Sequence, residues 1–261
     1  MGKTNIDKIF AKRQNANENL FVPYIVAGEY GLEQLKEQVL FLESCGVAAI
    51  ELGIPFSDPV ADGPTIQKAA LRALEKGISL SKILDFLGTF KDERTVPIIL
   101  MTYINPIFVY GVENFAKKCA EVGVDGVIIP DVPLEEEDLI ADALSEHSIA
   151  FIRLVALTST EERLAEIGKR AEGFLYAVSV TGTTGVRATH QDRVYSYLEK
   201  LKSFSSAPVL AGFGVSNAEQ AQKLSSYCDG VIVGSKIVEL FQEGRKDEIR
   251  QLVQNSIVKS I

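Results

Sequence analysis

Along the chain, short runs of consecutive apolar residues rich in β-branched side chains alternate with stretches in which apolar positions recur every three or four residues. The apolar runs fall at 20–27, 48–52, 96–102, 126–129, 150–154, 174–178, 208–211 and Gly230–Val233. Their spacing averages about 30 residues, the length of one strand–helix unit. Within the runs the residues are continuously apolar rather than alternating, as in parallel strands covered on both faces. Between the runs, Leu35, Val39 and Leu42 trace one helix face, and Val194, Leu198 and Leu201 trace another. Helix starts are marked by Ser79 before Leu80-Ser81-Lys82-Ile83 and by Thr160 before Glu161 and Glu162.

Eight strand–helix units close naturally into a (β/α)8 TIM barrel, an α/β fold, and the chain is expected to form a single domain over residues 1–261. An open doubly wound sheet is the alternative, but no Gly-x-Gly-x-x-Gly follows the first strand. Two additions to the barrel are expected. One is a helix near 6–14 placed to plug the barrel bottom, and the other is an extra helix around 64–74 in the long connection between the second and third strands.

Composition narrows the function classes. The 261 residues carry 27 Lys and Arg against 35 Asp and Glu, a net charge of −8. That balance disfavours phosphate backbones and anionic lipid surfaces, so neither nucleic acid nor membrane is expected as a partner. Cys45, Cys119 and Cys228 are far apart and in no metal-like spacing; they read as reduced, buried thiols of a cytoplasmic protein. No signal peptide or uninterrupted apolar span of about 18 residues is present. Gly2-Lys3-Thr4 lacks the strand and upstream glycine of a P-loop. The acidic run Glu135-Glu136-Glu137-Asp138 reads as a solvated helix start.

In such barrels, chemistry sits at the C-terminal ends of the strands. Glu51 follows four apolar residues on the second strand. A carboxylate buried there without a partner costs several kcal/mol, so the position reads either as a structural ion pair or as a proton shuttle with a raised pKa. Asp58 and Asp62 lie in the following loop among prolines and glycines, and Asp62 could instead cap the extra helix. After the last three strands come Ser179-Val180-Thr181-Gly182-Thr183-Thr184-Gly185, Gly212-Phe213-Gly214 and Gly234-Ser235. Glycines there let backbone amides approach a phosphate, and a helix opening at Ser235 would aim its positive end at it. Other chemistries lack their groups. Lys236 reads as a helix-surface residue rather than a Schiff-base lysine. The two histidines, His147 and His190, form no metal cluster, so no metal site is expected. Acid–base chemistry by carboxylates on a small phosphorylated substrate remains.

The segment Ile50-Glu51-Leu52-Gly53-Ile54-Pro55-Phe56-Ser57-Asp58-Pro59-Val60-Ala61-Asp62-Gly63 resembles the signature of the tryptophan synthase alpha chain family. The likeness continues through Phe21-Val22-Pro23-Tyr24, Met101-Thr102-Tyr103-Ile104-Asn105-Pro106 and Pro130-Asp131-Val132-Pro133 to the glycine loops named above. The resemblance implies retro-aldol cleavage of indole-3-glycerol phosphate to indole and glyceraldehyde 3-phosphate in tryptophan biosynthesis. It also implies an α2β2 heterotetramer whose beta chain, not this one, carries pyridoxal phosphate. By resemblance Glu51 is the acid–base residue and Asp62 accepts the indole N–H. Phe21, Met101, Tyr103, Ile129, Ile152, Tyr176 and Phe213 match the indole pocket, and Gly185, Gly212, Gly214, Gly234 and Ser235 the phosphate cradle. Thr184 matches a closing loop that contacts Asp62. Asp58, Pro59, Asn105 and Pro133 match the face turned to the beta chain. The chain departs from many relatives at Thr183, where they have valine, and at Val180, where some have arginine; both bear on the loop's closing contacts. A stand-alone lyase and a non-catalytic ligand-binding subunit are the competing readings.

Overall fold

In the computed structural model, residues 2–178 and 188–259 are described. The apolar runs form parallel strands: β1 (Leu20–Val26), β2 (Ile50–Gly53), β3 (Ile98–Met101), β4 (Gly126–Ile128), β5 in two pieces (Ala150–Phe151 and Arg153–Ala156), β6 (Leu175–Val178), β7 (Val209–Gly212) and β8 (Gly230–Val233). β1 pairs with both β2 and β8, and the order runs around to β5 from either side. The first piece of β5 pairs with β4 and the second with β6, so the interruption at Ile152 lets one stave close the ring. Even there the ladder holds, since the Ile152 amide donates to Val127 O at 2.9 Å. The result is the expected (β/α)8 barrel.

The pleat sorts these apolar runs into two cores, because successive side chains point to opposite faces of a strand. Leu20, Val22, Ala49, Ile99, Ile128, Ala150, Ile152, Phe174, Leu210 and Ile232 fill the barrel interior. The intervening residues pack outward against the helices in a larger core. Helix α1 (Lys3–Asn15) inserts Ile6 and Phe10 into the interior from below, with the Phe10 and Phe174 rings stacked 5.9 Å apart, so the expected plug is present.

Around the strands lie α2 (Leu32–Cys45), α3 (Pro64–Glu75), α4 (Leu80–Thr89), α5 (Ile104–Tyr110), α6 (Val112–Val122), α7 (Ala141–Glu146), α8 (Glu161–Lys169), α9 (Ala188–Phe204), α10 (Ala218–Ser225), α11 (Ser235–Gln242) and α12 (Lys246–Ile257). Here α3 is the expected extra helix, opened by Pro64, whose fixed φ suits a first helical position. Ser79 and Thr160 cap α4 and α8 through the amides of Lys82 and Arg163. The acidic run departs from expectation. It lies in a short 3-10 turn, Leu134–Leu139, and Glu137 is buried there, held by Arg153 at 2.8 Å and Arg170 at 2.5 Å. Two guanidiniums from separate elements supply the compensation that burial of a carboxylate demands. The three cysteines are buried and unbridged. Among the described residues no helix is long and apolar enough to cross a membrane.

Candidate active site

Glu51 stands on β2 in the phase that points into the barrel, two residues above Ala49 of the interior core. It is 0% exposed, and neither carboxylate oxygen has a hydrogen-bond partner among the described residues. Among the described residues no ion pair holds it. Burial, reinforced by the charge of Asp62, pushes Glu51 up to about 8, so it is a protonated acid at neutral pH.

The loop after β2 folds back over the mouth through a tight turn, with the amide of Val60 on Asp58 O and that of Asp62 on Pro59 O. Tyr103, just beyond β3, anchors this loop. Its hydroxyl accepts from the Ala61 amide at 3.0 Å and donates to Asp62 Oδ2 at 3.2 Å, while its ring lies 5.3 Å from Phe56. Asp62 makes no cap for α3; Gly63 is the cap residue and forms no side-chain bond. Burial pushes Asp62 up to about 6, and the Tyr103 hydrogen bond draws it partway back. The mouth thus holds an acid and an ionised carboxylate side by side near pH 7, the division of labour that acid–base catalysis needs.

On the far side of β1 from β2, Gly234 leads from β8 into α11, and its carbonyl takes up the amides of Ile237 and Val238. The amides before them stand at the open, positive end of the helix. Gly214 has φ +67° and only open space where a side chain would begin, so the left-handed backbone is what requires glycine there. Gly212 has a different reason: a Cβ would collide with the Tyr176 ring.

The sequence-matched pocket residues divide. Met101 and Tyr176 cap the interior core at the mouth, Tyr103 sits beside them, and half-buried Phe213 lies between the glycines of the loop after β7. Phe21 and Ile129 do not join them. Each points into the layer between strands and helices, because its neighbours Leu20, Val22 and Ile128 take the inward phase. Ile152 points inward but one layer too deep, against Gly126 beside Ile6. In their places stand Leu154, two residues above Ile152, and Tyr24, which pairs with Glu51 across β1 and β2. Stepping by two along each strand from the phase of Glu51 finds both. Thr184 and Gly185 lie outside the described residues. Asp58, Asn105 and Pro133 are exposed and Pro59 partly so, all in the loops around the mouth. They share that rim with Val60 and Val109, 83% and 91% exposed, and with Phe108. Asp131 accepts the Ile104 amide and so ties the loop after β4 to the start of α5.

Fold and mouth together give a (β/α)8 barrel whose open end carries a buried, protonated carboxyl and a second carboxylate, the groups that acid–base chemistry uses. A family model described as tryptophan synthase alpha chain matches residues 10–260. The chain is 55% identical to the tryptophan synthase alpha chain of Oceanobacillus iheyensis over 261 residues, 100% of both. It is 48% identical to that of a Bacillus cereus strain over 248 residues, 95% of this chain and 96% of the relative. A solved Mycobacterium tuberculosis tryptophan synthase chain superposes with a TM-score of 0.88 at 33% identity, covering 96% of each. The tryptophan synthase subunit alpha from Legionella pneumophila gives 0.88 at 32%, covering 98% of this chain and 97% of that one. The chain belongs to the tryptophan synthase alpha chain family, whose activity is the cleavage of indole-3-glycerol phosphate.

Proposed function

We infer that the chain cleaves indole-3-glycerol phosphate to indole and glyceraldehyde 3-phosphate, with Glu51 and Asp62 as its catalytic pair. The observation that carries this reading is the buried Glu51 carboxyl, without a hydrogen-bond partner among the described residues and raised by the nearby charge of Asp62. A protonated Glu51 gives its proton to C3 of the indole ring. The resulting positive charge on the ring nitrogen is stabilised by the ionised Asp62, which accepts the N–H. Glu51, now a carboxylate, takes the proton of the hydroxyl on the adjacent carbon as the C–C bond breaks. Its electron pair returns to the ring, and Glu51 ends as it began, protonated. In this reading Met101, Leu154, Tyr176 and Phe213 hold the ring, and Gly214, Gly234 and Ser235 the phosphate, whose charge the α11 opening favours.

Assembly with a beta chain in an α2β2 complex accords with the apolar rim around Val60, Phe108 and Val109, next to Asp58, Pro59, Asn105 and Pro133. Pyridoxal phosphate would belong to that partner. The cytoplasm suits the unbridged thiols. The test supplies indole-3-glycerol phosphate with and without a beta chain and scores indole. Release is expected from the wild type and a fall of about 10²–10⁴-fold for Glu51→Gln, the contribution of a general acid–base group. Near-normal release by the variant would remove Glu51 from the mechanism.

A further inference from the structure

The mouth contains a phenol that the proton transfers leave unused. Tyr24 pairs with Glu51 in register, and its ring runs up the barrel wall so that its hydroxyl lies over Gly53, where any Cβ would collide with it. On its other flank is Gly234, whose missing Cβ would make ordinary contact with the near side of the ring. Two glycines, one next to the carboxylates and one at the head of α11, thus leave the slot that the ring occupies. Tyr176 repeats the device on β6: it pairs with Leu210, and its ring lies over Gly212 two residues further on. The Tyr24 hydroxyl has no hydrogen-bond partner among the described residues, whereas the Tyr103 hydroxyl both donates and accepts.

A ligand with its ring at Asp62 and its phosphate at α11 must pass Tyr24 with its middle. We propose that the Tyr24 hydroxyl donates a hydrogen bond to a hydroxyl oxygen of the substrate's three-carbon chain, making Tyr24 a determinant of specificity for the hydroxylated chain. The claim rests on the substrate assigned above. Burial and the nearby charges of Asp62 and Glu51 hold the phenol well above its ordinary value, so it stays a donor and takes no part in proton transfer. A donor with no acceptor among the described residues discriminates by what the ligand offers it: a hydroxylated chain satisfies it and a plain alkyl chain does not.

The experiment compares two ligands in the Glu51→Gln background, where substrate persists: indole-3-glycerol phosphate, and indole-3-propanol phosphate, which lacks the chain hydroxyls. Adding Tyr24→Phe should weaken the glycerol ligand by about 3–10-fold, the worth of one neutral hydrogen bond, and leave the propanol ligand unchanged. An equal change for both ligands, or none for either, overturns the proposal. Should the double variant fail to fold, the same contrast is read from Tyr24→Phe alone, as KM for the substrate against the inhibition constant of the analogue. Indole release by the wild type separates the two claims. Its absence refutes the substrate assignment, while its presence with ligand-indifferent binding refutes only the Tyr24 contact.

Discussion

Glu51 and Asp62 differ in what surrounds them, and that difference sets their titration. Glu51 has no donor within reach among the described residues, whereas Asp62 has the Tyr103 hydroxyl. For the proposed cleavage Asp62 must be ionised to accept the ring N–H, and Glu51 must be protonated to donate to C3. The profile of kcat/KM should therefore rise with pH through about 6, the value to which Asp62 is pushed up, and fall through about 8, that of Glu51. In Asp62→Asn the acidic limb should vanish along with most of the activity. A wild-type profile that is flat between pH 5 and 7 would contradict the role given to Asp62. At this scale the sequence exposed the carboxylates and misplaced part of their lining. A continuously apolar strand carries no alternation, so nothing in Leu20-Phe21-Val22-Pro23-Tyr24 says which side chains face inward. The polar Glu51 is the phase marker for β2, and pairing transfers that phase to Tyr24. The family signature points to Phe21 where the register with Glu51 selects Tyr24, and to Ile129 and Ile152 where the inward phase selects Ile128 and Leu154.

At the level of elements, a carboxylate just ahead of one strand repeatedly binds the first amides of the strand before it. Asp125, leading into β4, accepts the Ile98 amide at the start of β3 at 3.0 Å. Glu172, ahead of β6, accepts from Phe151 on β5 at 2.9 Å, and Asp229, leading into β8, from Val209 on β7 at 2.8 Å. Strand ends leave amides without ladder partners, and these side chains satisfy them. Asp125 also accepts the Gly2 amide at 2.6 Å and Asn5 Nδ2 at 3.1 Å, which fastens α1 beneath the barrel. Asp125→Ala should lower the free energy of unfolding by about 1–3 kcal/mol for the stranded Ile98 amide alone, read as a lower urea midpoint. Turnover of the folded fraction should persist, since the substitution lies at the end of the barrel opposite the mouth. An unchanged midpoint would show that water replaces the carboxylate without cost. The strand–helix alternation was legible because the apolar runs recur about every 30 residues and the longer helices between them show a three-to-four-residue period. The seven-residue α5 was not: two turns with Pro106 inside them show no recurring face. Nor was the burial of Glu137, since its partners Arg153 and Arg170 come from distant parts of the chain.

For the molecule as a whole, the barrel's interior core and the candidate site at its mouth make opposing demands at one position. The closed ring was readable from eight apolar runs, but whether Glu51 is paired was not, because that depends on which groups surround it once the chain has folded. In the unfolded chain this carboxyl titrates near its ordinary value of 4.5, and in the folded barrel it is pushed up to about 8. Between these values the folded state binds the proton more tightly than the unfolded state does. The contribution of Glu51 to stability is therefore fully present below about 4.5 and is lost progressively as pH rises toward 8. Glu51→Gln keeps the shape of the protonated acid and removes the titration. The variant should thus be more stable than the wild type at pH 7, by about 3 kcal/mol on the scale of 1.4 kcal/mol per pKa unit, and the difference should shrink toward zero near pH 4. Urea unfolding of both proteins across that range measures it. A gap independent of pH would mean that the gain comes from packing rather than from removal of the titrating carboxyl. A variant less stable at pH 7 would mean that the ionised carboxylate is compensated in the folded protein after all.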